Sequence, residues 1–131
     1  MKGNRIEPIG APYSSAAGAE AIGKGLQFLT NLTSLDLSNN GDLSNNGIES
    51  IGQGLHSLSN LVSLDLSKNK MAGVETLGNG LKHTPHLTSL NLSMNEIGII
   101  GTEAIGKNFK YLLNLTSLDL SMNSIGSKGA K

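Results

Sequence analysis

Gly18-Ala-Glu-Ala-Ile-Gly-Lys24 and Gly101-Thr-Glu-Ala-Ile-Gly-Lys107 have the spacing of a phosphate-binding loop, in which backbone amides cradle phosphate and a lysine reaches its oxygens. That chemistry also needs a hydroxyl after the lysine to hold magnesium, and Gly25 and Asn108 stand there instead. Gly47 with Gly52, and Gly73 with Gly78, keep the same spacing without a lysine, so the glycines follow a wider regularity. Gly23-Lys-Gly25, Gly52-Gln-Gly54 and Gly78-Asn-Gly80 are equally weak dinucleotide signals. His83 and His86 flank Pro85 without a third ligand nearby, which makes them surface histidines before they are a metal site. The chain has no cysteine, so thiolate sites and disulfides are excluded. Serines are plentiful, yet no His–Asp pair shares their phase, and a nucleophile needs such a base. No catalytic residue, metal or cofactor is expected.

What remains is suited to binding. Asp36, Asp65 and Asp119, with Asn91 between them, recur at one phase; Lys68, Met94 and Met122, with Asn39, recur at another. A row of carboxylates can steer a basic partner, and methionine offers an adaptable apolar contact. Ten basic residues balance ten acidic ones, so no global field favours nucleic acid or a membrane. The expected partner is another protein.

The phase of these residues is set by a phrase written four times: Leu32-Thr-Ser-Leu-Asp-Leu-Ser-Asn-Asn40 and its counterparts beginning at Leu61, Leu87 and Leu115. Marked at Leu35, Leu64, Leu90 and Leu118, the steps are 29, 26 and 28 residues. The alternation predicts short strands with Leu35/Leu37, Leu64/Leu66, Leu90/Leu92 and Leu118/Leu120 inward. Ser34, Asp36 and Ser38, with their equivalents, are expected outward. Asn40, Asn69, Asn95 and Asn123 close each phrase where the strand must turn, and their amides are expected to form a buried ladder that satisfies turn backbone. Asn31, Asn91 and Asn114 match a glycosylation sequon, but each falls at a fixed phase of the repeat, which accounts for it without a glycan.

Between phrases the spacing is helical. Ile22, Leu26 and Leu29 lie on one stripe of a helix expected over 19–29; Ile51, Leu55 and Leu58 repeat it, as do Ile105, Phe109 and Leu112. The third unit has Leu77 and Leu81, and Pro85 stops its helix by about His83. Lys24, Gln27, Lys107 and Lys110 are expected on the outer side. The repeated glycines are expected to allow close helix–strand approach. The fold class is therefore α/β: a right-handed solenoid with a parallel sheet on the concave face and helices on the convex face.

This pattern resembles the leucine-rich repeats, and Asn95-Glu-Ile-Gly-Ile-Ile-Gly-Thr-Glu-Ala-Ile105 is similar to the signature of their ribonuclease-inhibitor-like class, also used by NOD-type receptors. The resemblance covers roughly residues 16–131 and implies protein–protein binding through the concave face and its rims. It carries no contact residue over, because partners differ across the family. Residues 1–15 read as a divergent N-terminal cap, with Ile6-Glu-Pro-Ile9 as an edge strand, and 16–131 as about four repeats, the last incomplete.

Within the first unit, Asp36-Leu-Ser-Asn-Asn-Gly41 is followed by an identical Asp42-to-Gly47 copy, which restores unit length and lets Leu43 take the inward place of Met71, Ile97 and Ile125. The uniform Ser and Asp columns are read as keeping the sheet face soluble. Specificity is placed at Lys68, Met94 and Met122 and in the duplicated loop that follows Asn40, with Asp36, Asp65 and Asp119 steering. The chain is read as a fragment of a larger protein, able to self-associate through its C-terminal edge at high concentration, where Leu118, Leu120 and Ile125 lack a following unit. With no apolar leader in this chain, cytoplasmic residence or delivery into a host cell is expected. The alternatives are a small-GTPase regulator, which the resemblance to Ran GTPase-activating proteins implies, and a structural spacer in a larger receptor or surface protein.

Overall fold

The computed structural model describes residues 12–124 apart from Asp42 and Gly73; the expected strand at Ile6–Ile9, the cap segment up to residue 11 and the place of Ile125 lie outside that set. Within it, each Leu-rich phrase becomes a three-residue strand: β1 (Ser34–Asp36), β2 (Ser63–Asp65), β3 (Ser89–Asn91) and β4 (Ser117–Asp119). They alternate with helices α1 (Pro12–Gly25), α2 (Ser44–Gly54), α3 (Glu75–Leu81) and α4 (Gly98–Gly106). The strands form one parallel sheet in chain order, with Leu35, Leu64, Leu90 and Leu118 in register. Pairing runs on past the strands. Leu37, Leu66 and Leu92 donate to the carbonyls of Asp65, Asn91 and Asp119, all at 2.9 Å. This is the α/β solenoid that the repeat predicts.

The leucines of β1 to β3 are fully buried, together with Leu43, Ile51, Leu55, Leu58, Leu77, Leu81 and Ile105 from the helical halves. Each such side chain contributes on the order of 1.5–3 kcal/mol of burial. One expectation fails, at the first flank. Leu29, expected inward, is 40 % exposed, although its equivalent Leu58 has nearly the same backbone angles and is fully buried. The difference is the neighbour: Leu29 stands in the first described unit, with a described unit on one flank alone. At the other flank Leu118 is 40 % exposed and Leu120 half-buried.

The first helix also departs from the expected 19–29. It begins at Pro12, inside the segment read as a cap, and ends as a 3-10 turn at Leu26–Phe28. The third helix stops at Leu81, as the proline implies. Thr84, just ahead of Pro85, fills the slot held by Leu29, Leu58 and Leu112 elsewhere. It is buried, and its hydroxyl donates to the Leu81 carbonyl at 2.9 Å.

Asparagines join the units on the strand side. Asn69 Nδ2 donates to the Leu66 carbonyl of its own unit and to the Leu37 carbonyl of the preceding one, both at 2.9 Å, while its Oδ1 accepts the Asn40 N–H at 2.7 Å. Asn95 and Asn123 repeat this, accepting the N–H groups of Asn69 at 2.9 Å and Asn95 at 3.1 Å. Asn95 Oδ1 takes a second N–H from Met71, and Asn123 Oδ1 one from Ile97, so each amide also anchors the start of the preceding helical half. Nearly the full donor and acceptor capacity of a primary amide is used. A second, exposed set of asparagines joins the opposite end: Asn60 donates to the Thr30 carbonyl and Asn114 to that of Pro85.

Glycines join the units on the helix side. A Cβ on Gly52 would lie 2.7 Å from the backbone of Thr76, and one on Gly54 2.6 Å from the Gly23 carbonyl oxygen. Gly23 and Gly80 are closed off in the same way by Ser50 and by Gly52. The close approach is therefore between successive helices, correcting the expected helix–strand contact. Helix axes normally keep 8–10 Å apart because side chains intervene, and here one is missing at each crossing.

Candidate binding surface

The register places Asp36, Asp65, Asn91 and Asp119 in one column across the sheet. Each carboxylate is partly engaged by its own turn. Asp36 Oδ1 accepts the Ser38 N–H at 2.9 Å and the Ser38 hydroxyl at 2.6 Å; Asp65 holds Ser67 at 2.9 and 2.7 Å; Asp119 holds Ser121 at 2.9 and 2.7 Å. Asn91 Oδ1 accepts the Ser93 N–H at 3.0 Å. Such bonds let the strand end and turn sharply. At Asp119 the Ser121 hydroxyl, then the Ser121 N–H, hold the carboxyl below its ordinary range against a small opposing effect of burial. The charge persists, but one oxygen of each carboxylate serves the fold.

The third outward column needs correction. Ser67 and Ser93 are buried, whereas Ser38 is half-buried and Ser121 exposed. The reason is the same turn: the chain curls over the serine as it heads for the ladder asparagine.

The next position behaves differently. Asn39, Lys68, Met94 and Met122 are all exposed and all adopt left-handed backbone, with φ of 60, 60, 55 and 57°. Lysine and methionine gain nothing intrinsic there, and a non-glycine residue in this region costs of order 1 kcal/mol or more. The neighbouring bonds impose it: the N–H groups of Asn39, Lys68 and Met94 donate to Ser67, Ser93 and Ser121 carbonyls at 2.9, 3.0 and 2.9 Å, and a ladder asparagine follows each. Lys68, Met94 and Met122 thus stand side by side on one rim, in a fixed pose.

That rim changes character along the molecule. Beyond Asn39 in the first unit, the start of α2 presents exposed Asn45 and Asn46. In the third unit, the start of α4 presents Ile99 at 38 % and Ile100 at 74 % exposure. These two isoleucines border a cleft of about 570 Å³ with Ile97, Gly98, Glu103 and Ser124. A groove of about 470 Å³ between α3 and α4 shares Ile100 and Glu103 and reaches Lys107, Lys110 and Tyr111. The sequence reading passed over this pair. Ile97, Gly101 and Ile105 already occupy the inward stripe, so helical spacing leaves Ile99 and Ile100 outside.

The phosphate-loop look-alikes lie within α1 and at α4, where Gly23 rests against Ser50 of α2, Gly101 is closed off by Ile97 and Val74, Gly106 faces open space, and Lys24 and Lys107 are exposed. No anion cradle is formed by helical amides already bonded within their helix. His83 and His86 do not converge. His83 stacks on His56 with ring centroids 4.1 Å apart, while His86 is exposed beside Asn31, Thr33, Asn60 and Val62. Among the described residues no three His, Asp or Glu side chains are placed to hold a metal ion, and no helix is long and apolar enough to cross a membrane.

A family model described as Leucine Rich repeat matches residues 28–52, 83–106 and 111–131, more than half of the chain. No curated protein matches it.

Proposed function

Because the chain belongs to the leucine-rich repeat family, a non-catalytic repeat fold whose domains generally serve in protein–protein contacts, we propose that it presents its sheet face and strand-end rim to a partner protein. The observation that carries this reading is the contrast at successive positions of each phrase. The ladder asparagine never varies, whereas the residue before it holds one backbone pose and offers Asn, Lys, Met and Met. A rigid display of variable side chains lowers the ordering cost of association. Asp36, Asp65 and Asp119 supply negative charge behind that row. The well-formed helical half of most units supports placing the chain in the ribonuclease-inhibitor-like class.

The test uses a photo-crosslinking amino acid at positions 68, 94 and 122, and in parallel at the outward helix positions 24, 27 and 53. The expected result is one protein crosslinked from the first set and not from the second. Equal yields from both sets overturn the reading. Self-association through the β4 edge is a further part of the proposal, supported by the exposure of Leu118 where Leu90 is buried. A sedimentation mass equal to the monomer at millimolar concentration contradicts it. No observation favours a GTPase regulator or a spacer.

A further inference from the structure

We propose that the rim of the third and fourth units is a docking site for a basic amphipathic protein segment, whose apolar side chains seat on Met94, Met122, Ile99 and Ile100 and whose Lys or Arg side chains face Glu96 and Glu103. This rests on the sheet-and-rim reading above and names its partner by chemistry.

The apolar residues belong to one continuous edge. Met94 and Met122 are joined through the bond from Met94 N–H to the Ser121 carbonyl, and the start of α4, which carries Ile99 and Ile100, is tied to the Met122 segment by the Gly98 N–H donating to the Asn123 carbonyl at 3.1 Å. Met122 is 71 % and Ile100 74 % exposed, while the equivalent rim of the first two units carries Asn39, Asn45, Asn46 and Lys68. A solvated helix start needs no isoleucine pair, and α2 does without one.

The flanking charge selects the occupant. Glu96 precedes the isoleucines, Glu103 lies one helical turn after Ile99, and both are exposed; Glu103 also borders the cleft. Among the described residues Glu103 is the charged side chain that lines the isoleucine cleft, while Lys107 and Lys110 lie farther off in the neighbouring groove, so the cleft itself repels an anionic membrane surface and attracts a cationic peptide. Flexible, polarisable methionines beside acidic groups are suited to an amphipathic helix laid in a groove.

The probe is a fluorescein-labelled helical peptide of leucine and lysine with leucines at i, i+3, i+4 and i+7, read by anisotropy against the whole chain. Its charge-reversed leucine–glutamate version is the control. Saturable binding of the lysine peptide is expected, weakened about tenfold or more by Ile100→Ser with Met122→Ser. Glu96→Gln with Glu103→Gln is expected to weaken it several-fold and to flatten its salt dependence. Gln53→Ala, on the outer face of α2, is expected to leave it unchanged. All these positions are exposed, and circular dichroism checks that the variants fold. Absence of saturable binding overturns the proposal, as do equal binding of both peptides and undiminished binding to the Ile100/Met122 variant. A wild-type dimer in sedimentation that Ile100→Ser makes monomeric also overturns it, by assigning the patch to a second copy. If the peptide fails while positions 94 and 122 still crosslink a protein, this inference falls and the sheet-and-rim reading stands; if those crosslinks are also absent, both fall.

Discussion

Successive units of this molecule are joined by two seams built on opposite principles. On the strand side the joint is a side chain: a buried amide that donates to two units and accepts from a neighbour. On the helix side the joint is the lack of one, since glycines let one backbone rest against the next. The first seam is directional and fixes register. The second is steric and sets how near the helices come. A polar network buried this completely is valuable while every member is satisfied and costly when one is lost.

The sharpest way to break the comparison is at Asn69. Asn69→Leu takes away the Oδ1 that accepts the buried Asn40 N–H and removes one of two amide donors from each of the Leu37 and Leu66 carbonyls, which keep Asn40 Nδ2 and Asn95 Nδ2. At about 1–3 kcal/mol for the buried N–H and about 0.5–1.5 kcal/mol for each of the two other lost bonds, the loss should exceed about 2 kcal/mol, a large share of a typical stability. Urea denaturation checks it; a loss below about 1 kcal/mol would show that the ladder does not hold the strand seam.

The helix seam should yield less, and selectively. Gly52→Ala puts a methyl group into the Thr76 backbone and is expected to cost about 1–3 kcal/mol as the helices part. Gly25→Ala meets nothing within 4 Å and sits in helical backbone, so it should be neutral or stabilise by about 0.5–1 kcal/mol. Equal effects of the two substitutions in the same denaturation assay would remove the case for steric helix joints.

The smallest expected effect separates the seams by pH. The asparagine ladder contains no titrating group, but His56 and His83 stack between neighbouring units on the helix side. Burial, then His56, then Lys82 lower the pKa of His83 below the ordinary histidine value. The unfolded chain therefore binds a proton there first. His83 contributes no pH dependence above about pH 6.5, and stability is lost as pH falls from that value toward its folded pKa. Melting temperatures at pH 7.5 and 5 should fall less in His83→Gln than in the wild-type chain; an identical fall in both contradicts the assignment.

Legibility in the sequence follows the same division. Leu35, Leu64 and Leu90 and the four asparagines announce themselves because each carries a side chain whose chemistry is its role. The strands, their register and the position of each turn follow directly. Glycine carries no such mark: Gly52 reads as a close contact, but whether with a strand or a helix depends on how units stack. Leu29 fits its stripe, and only the count of neighbouring units exposes it. Thr84 hides in a leucine slot because its hydroxyl is satisfied within its own turn. The stacking of His56 on His83 joins residues a unit apart, and nothing local signals it. The candidate surface is similarly divided. Lys68, Met94 and Met122 stand out as variable letters in a fixed phrase, whereas Ile99 and Ile100 pass for core until the helix is seen to turn them outward.

The account depends most on the strand seam, because it holds the rim in the pose that a partner would meet. Hydrogen exchange of the Asn40, Asn69 and Asn95 backbone amides tests it directly, since each is bonded to a side-chain oxygen of the next unit. The account predicts that all three exchange only through global unfolding, with protection matching that of Leu64 and Leu90 in the sheet. Exchange of these amides at the rate of exposed loop positions such as Lys70, while the strands stay protected, would contradict it.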